Sequence, residues 1–148
     1  MTSPNLLPGN RFRANRGNGA TPEVFTFLCI AQTKTITFTN EFEDATVADC
    51  DKPLSVPSRK SVLRSTAWGG SIAGIVDAKR FAVLETDRKS ETPINYQFIF
   101  DKPAADGGGT YTGPIFIESL QVTSTNNGMV NFTMQFRGDG EVVWAVAA

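Results

Sequence analysis

At 148 residues, 41% of them apolar and 20% charged, the chain is long enough for a real core and is composed like one globular domain, not a disordered segment. A net charge of −1 supplies no basic field to recruit nucleic acid, so any DNA partner is handled without tight electrostatic binding. The absence of histidine removes the commonest general base and metal ligand together.

Residues 1–22 are an arm of Gly, Asn, Pro and Arg that shows neither helical nor strand periodicity. An extended N-terminal arm is expected there, with Arg11, Arg13 and Arg16 as its contacts to a neighbour, and residues 23–148 form a single domain. The N-terminus lacks the basic-then-apolar pattern of a signal peptide, and no apolar run approaches membrane-spanning length. A reducing cytoplasm is the expected site of synthesis, so Cys29 and Cys50 are not expected to pair.

Val24–Ile30 is apolar, aromatic and β-branched, which predicts a buried strand. Thr33, Thr35, Thr37 and Thr39 then alternate with Ile36 and Phe38, predicting a strand with an uncharged outer face. Residues 40–65 break the pattern and predict a long loop. Its first limb is acidic (Glu41, Glu43, Asp44, Asp49, Asp51) and its second basic (Lys52, Arg59, Lys60, Arg64). A loop of this length is functional or disordered. Its two-signed charge suits either contact with a second copy or plain solvation.

Thr66–Ile75 predicts a glycine-punctuated strand, after which Asp77 can cap a helix reaching about Lys89. Pro93–Phe100 alternates again, Pro103–Gly109 is a turn, and Thr110–Thr112 leads into Gly113–Thr125. Asn126-Asn127-Gly128 supplies hairpin chemistry before Met129–Arg137, and Gly138-Asp139-Gly140 turns the chain into a last strand. In this hairpin Val130, Phe132, Met134 and Phe136 share one face, with Leu120 and Val122 opposite. Asn131, Thr133, Gln135, Gln121 and Thr123 share the other. About seven to nine strands and one helix predict a mainly antiparallel β-sandwich or barrel with a flanking helix.

The outward faces of these strands carry no charge, which suits either ordinary exposed strands, where Thr fits well, or a surface that meets something other than bulk water. Catalytic chemistry is not legible. Gly107-Gly108-Gly109 lacks a dinucleotide or phosphate-loop pattern, and no G-x-S-x-G elbow exists. Asp44, Asp49 and Asp51 lack EF-hand spacing, and Glu41 with Glu43 form a conceivable carboxylate pair without a pocket. Neither an enzyme nor a cofactor or metal is expected.

The order of elements resembles the tail tube (major tail) protein family of long-tailed bacteriophages and gene transfer agents. The resemblance rests on the Thr-rich strand 33–39 entering a long loop and on Trp68-Gly69-Gly70-Ser71-Ile72-Ala73-Gly74. It continues through the helix with Phe81 and Leu84, Gly113-Pro114-Ile115-Phe116-Ile117-Glu118-Ser119-Leu120, the alternating strand 128–138 and Val142–Val146. It covers most of residues 25–146 and leaves the N-terminal arm outside. It implies a virion protein, assembled in the host bacterial cytoplasm, whose hexameric rings stack into a tube around a DNA-sized channel. Residues 40–65 would reach the adjacent ring, and Thr35, Thr37, Thr39, Gln121, Thr123, Asn131, Thr133 and Gln135 would line the lumen. Implied partners are further copies, the tape measure, terminator and distal tail proteins, and double-stranded DNA in passage, with no membrane. A monomeric β-barrel binding a small ligand or glycan fits the strand content too, as does a related ring component such as a tail terminator or secretion-tube protein.

Overall fold

The structure is a computed structural model and describes residues 3–147. The strands are β1 (Phe12–Gly17), β2 (Phe25–Phe27), β3 (Ala31–Asp44), β4 (Ser61–Ile75), β5 (Ile94–Phe100), β6 (Gly109–Thr123), β7 (Asn131–Gly138) and β8 (Val143–Val146). One α-helix, α1 (Ala78–Arg88), lies between β4 and β5 among the described residues. All strands join one antiparallel sheet in the order β2-β1-β5-β6-β7-β4-β3, with β8 added to β6. The sheet does not close into a barrel, because β2 and β3 end it without further strand partners among the described residues.

It does curl. Adjacent strands lie about 4.8 Å apart, so a flat sheet would hold β6 and β3, three strands distant, about 14 Å apart. Yet the rings of Phe38 on β3 and Tyr111 on β6 lie 5.2 Å apart, and Phe98 on β5 stacks on Phe136 of β7 at 5.4 Å. Inside the curl lie Ala14, Ile72, Tyr96, Phe98, Ile115, Phe132, Met134 and Phe136, all buried. The period-two alternation along each strand delivers these side chains to one face. A bulge at Glu118 resets the phase of β6, so that Ile117 and Leu120 both pack on the core.

Helix α1 fills one open end of the curl. Asp77 caps it by accepting a hydrogen bond from the Lys79 amide at 3.1 Å, Leu84 is fully buried, and the Phe81 ring meets Phe132 edge-on at 6.1 Å. At the other end Trp68 is held between glycines. Its Nε1 donates to the Gly140 carbonyl at 3.1 Å, and a methyl group at Gly113 or Gly138 would run into the indole.

Three expectations need correction. The extended arm does not run to residue 22: Phe12–Gly17 is a strand interior to the sheet, between β2 and β5. Its pattern was hidden because the third inward side chain, after Phe12 and Ala14, is Arg16. Nor is 40–65 one loop. β3 and β4 stay paired from Asn40–Thr66 out to Asp44–Ser61, leaving only residues 45–60 as the connection. The strand predicted at Val24–Ile30 shrinks to Phe25–Phe27, since a turn closed by the Ala31 amide on the Leu28 carbonyl ends it.

Candidate functional site: a polar sheet face and a projecting hairpin

The outer face of β6, β7, β4 and β3 forms one continuous surface. Register aligns Gln121 with Thr133 and Thr123 with Asn131 across β6 and β7, then Gln135 with Ser71 and Thr133 with Ala73 across β7 and β4. Thr35, Thr37 and Thr39 follow opposite Ser71, Gly69 and Ala67. All eight residues expected to line a lumen, Thr35, Thr37, Thr39, Gln121, Thr123, Asn131, Thr133 and Gln135, are exposed on this one face. Ser119, Ser71 and Ala73 complete it. The same alternation in β4 signalled the latter two, but the glycines around them masked it.

The face is not wholly free of charge, contrary to what the alternation of its strands predicts. Arg137 and Glu118 pair across it at 3.6 Å, near the end where the hairpin leaves the body. Beyond Thr39 the same side of β3 carries Glu41 and Glu43, which therefore extend the threonine row instead of belonging to a loop. Glu41 accepts from the Ser65 hydroxyl at 3.1 Å, and Glu43 pairs with Arg64 at 3.2 Å. Both pairs are exposed and stabilise little.

The hairpin tip is internally braced. The Ala45 amide donates to the Lys60 carbonyl at 2.9 Å, and the Lys60 amide to the Thr46 hydroxyl at 2.9 Å. Asp44 accepts from the Thr46 hydroxyl and amide, which together hold its carboxyl below the usual carboxylate range. Asp49 accepts from the Asp51 amide at 2.9 Å in a turn of the same kind. Arg59 and Lys60 lie on the return limb, exposed.

The three arm arginines are engaged within the chain. Arg13 and Arg11 share Asp101 at 2.9 and 3.6 Å. Arg16 points into the curl and grips the buried Asp87 of α1, which also accepts from the Tyr96 hydroxyl at 3.0 Å. The hydrogen bonds to Asp87 raise the Arg16 pKa, and burial, ahead of the Asp87 charge, pushes the Tyr96 phenol far up. On β3 Lys34 lies on the core side opposite Ile72, where burial lowers its pKa.

Among the described residues these surfaces are polar and exposed, and no three metal-ligating side chains gather. The model of a family described as phage tail tube protein matches residues 12–144. The chain belongs to the phage tail tube protein family. It is a structural component of the tail, and the match starts at Phe12, so the part of the N-terminal segment that forms β1 lies inside the family fold. The tail tube chain is similar in fold to a protein in the tail of an empty gene transfer agent particle refined with C6 helical symmetry: 17% identity, TM-score 0.75, 95% of this chain and 99% of the other. It is also similar to the SPP1 tail tube, with 16% identity, TM-score 0.66, and 94% and 78% coverage. A chain in the sheath-tube complex of an extracellular contractile injection system gives 12% identity and TM-score 0.58, covering 96% of this chain and 93% of that one. No curated protein sequence matches it.

Proposed function

We propose that this tail tube protein closes six-membered rings by strand addition, that the rings stack, and that the polar face of β6-β7-β4-β3 lines the resulting channel. One observation carries the reading: these four strands form an alternating antiparallel set with an open edge on each side. Among the described residues β3 has no strand partner on its outer edge, and β6 from Phe116 to Thr123 has none on the side that β5 occupies lower down. Within the set β6 and β3 run in opposite directions, so β3 of one copy set beside β6 of the next continues the alternation. The C6 symmetry of the similar gene transfer agent tail supports six copies. Closure satisfies edges that otherwise template aggregation.

In that ring Thr35, Thr37, Thr39, Gln121, Thr123, Asn131, Thr133 and Gln135 face the lumen, and double-stranded DNA passes without being gripped. Each Lys or Arg on a phosphate would release counterions and add binding free energy, and many copies would sum to a trap. Hydroxyls and amides wet the wall without that cost. The hairpin beyond Asn40, carrying Asp44, Asp49, Asp51, Arg59, Lys60 and Arg64, reaches the adjacent ring. Tape measure, terminator and distal tail proteins are its other partners. Assembly in the host cytoplasm fits two exposed free cysteines. Size-exclusion chromatography and electron microscopy of the purified protein test the reading. Hexamers and tubes are expected, and a stable 16.0 kDa monomer at all concentrations would overturn it.

A further inference from the structure

The molecule has two unlike poles. β3 descends to the hairpin tip and β4 returns from it, so residues 45–60 stand at one pole, and Tyr111 and Trp144 lie toward it. The turn 124–130 between β6 and β7 stands at the other, beside α1, where the Val76 amide donates to the Val130 carbonyl. Large exposed apolar side chains gather at both. The projecting hairpin carries polar Glu41 and Glu43 on one side but Phe42 on the other, 61% exposed, with Leu63 opposite it. At its tip Leu54 is 100% exposed and Val56 94%. At the far pole Met129 is 65% exposed, with Val122 and Val130 also uncovered.

From this pairing of poles we infer that the apolar side of the hairpin, Phe42 and Leu63 with Val47, Leu54 and Val56 at the tip, seats on the 124–130 turn of a copy in the adjacent ring. The inference rests on the stacked-ring reading and deepens it. Rings stacked by a helical operation all point one way, so each contact joins one pole to the opposite pole of the next copy. The occupant is therefore a second copy, and the far pole is what it presents. Residues 124–130 carry no charged side chain, so covering them strips water from no ion. The hairpin tip is braced by the Ala45, Thr46 and Lys60 hydrogen bonds, so little ordering is left to oppose docking. Exposed apolar groups on a two-stranded ribbon find no cover within their own chain, and this seat provides it.

Cross-linking tests the contact. In a Cys29→Ser/Cys50→Ser background, Val56→Cys and Met129→Cys together should give, on mild oxidation of assembled tubes, a ladder of disulfide-linked chains on a non-reducing gel. Either cysteine alone should give none. Separately, Met129→Asp should leave the hexamer intact by size exclusion but raise the critical concentration for tube growth about tenfold or more. Tubes that form normally from Met129→Asp and yield no ladder from the cysteine pair overturn this seat and leave the ring reading standing. A wild-type chain that never leaves the monomer overturns the ring reading, and the seat with it.

Discussion

Arg16 on β1 and Asp87 on α1, 71 residues apart in the chain, face each other through two parallel hydrogen bonds of 2.5 Å. Asp87 is only 3% exposed, and the Tyr96 hydroxyl completes its shell. This pair locks the helix across the mouth of the curl. Removing one partner leaves the other charge buried, so Arg16→Met should cost about 3 kcal/mol of unfolding free energy. Tyr96→Phe should cost about 1 kcal/mol. The double change Arg16→Met/Asp87→Leu should recover part of the first loss. Urea unfolding followed by far-ultraviolet circular dichroism reads all three, and equal stability of Arg16→Met and wild type would show that the pair holds nothing.

Trp68 offers a second test, because its indole fits only where Gly113 and Gly138 lack side chains. Gly138→Ala places a methyl group against the indole and should cost about 3 kcal/mol by overpacking. The Trp68 hydrogen bond to the Gly140 carbonyl should be lost with it, shifting the emission of that tryptophan. Trp144, exposed on β8, is the second of two tryptophans, so the emission is read in a Trp144→Phe background where Trp68 alone reports. Unchanged stability and emission would contradict the cage.

The hairpin tip should loosen in acid. Hydrogen bonds from Thr46 lower the Asp44 pKa in the folded chain. A depressed carboxyl contributes stability that is present above its unfolded value and lost as pH falls through the folded one. Protection of the Lys60 amide from hydrogen exchange should therefore decline below about pH 4. In Thr46→Val, which deletes the hydroxyl that both Asp44 and Lys60 use, it should already be low at neutral pH. Protection that persists in acid would assign the brace to something other than Asp44.

Charge on the polar face should separate assembly from transport. Thr133→Lys or Asn131→Lys adds an exposed cation to a strand whose pairing is unaffected, so rings and tubes should form as before. If the proposed rings line a DNA channel, the added cations should slow genome passage in particles, and slow it most at low salt. Ejection kinetics of particles bearing either variant check this. Wild-type rates with the lysines shown to lie on the channel wall would remove the reason for an uncharged lining.

Much of this was legible because alternation is local. Phe132, Met134 and Phe136 announce the buried side of β7 by position alone, and Asp77 announces the helix start through its cap. β1 was illegible for the opposite reason: Arg16 breaks the apolar alternation, and the residue that answers it lies far along the chain on α1. The outer hairpin was hidden too, since Asn40–Asp44 and Ser61–Ser65 are held as strands by each other and not by a core. The joint surface of four strands follows from register, which no single strand encodes.

Lys34 has a consequence for timing. It sits on the core side of the open edge strand, with its ammonium partly stripped of water and its pKa lowered. A cation turned inward on an unpaired strand discourages casual edge-to-edge joining. If copies join through this edge as proposed, that charge slows the meeting of free subunits, and tube growth should begin with a lag that a preformed end shortens.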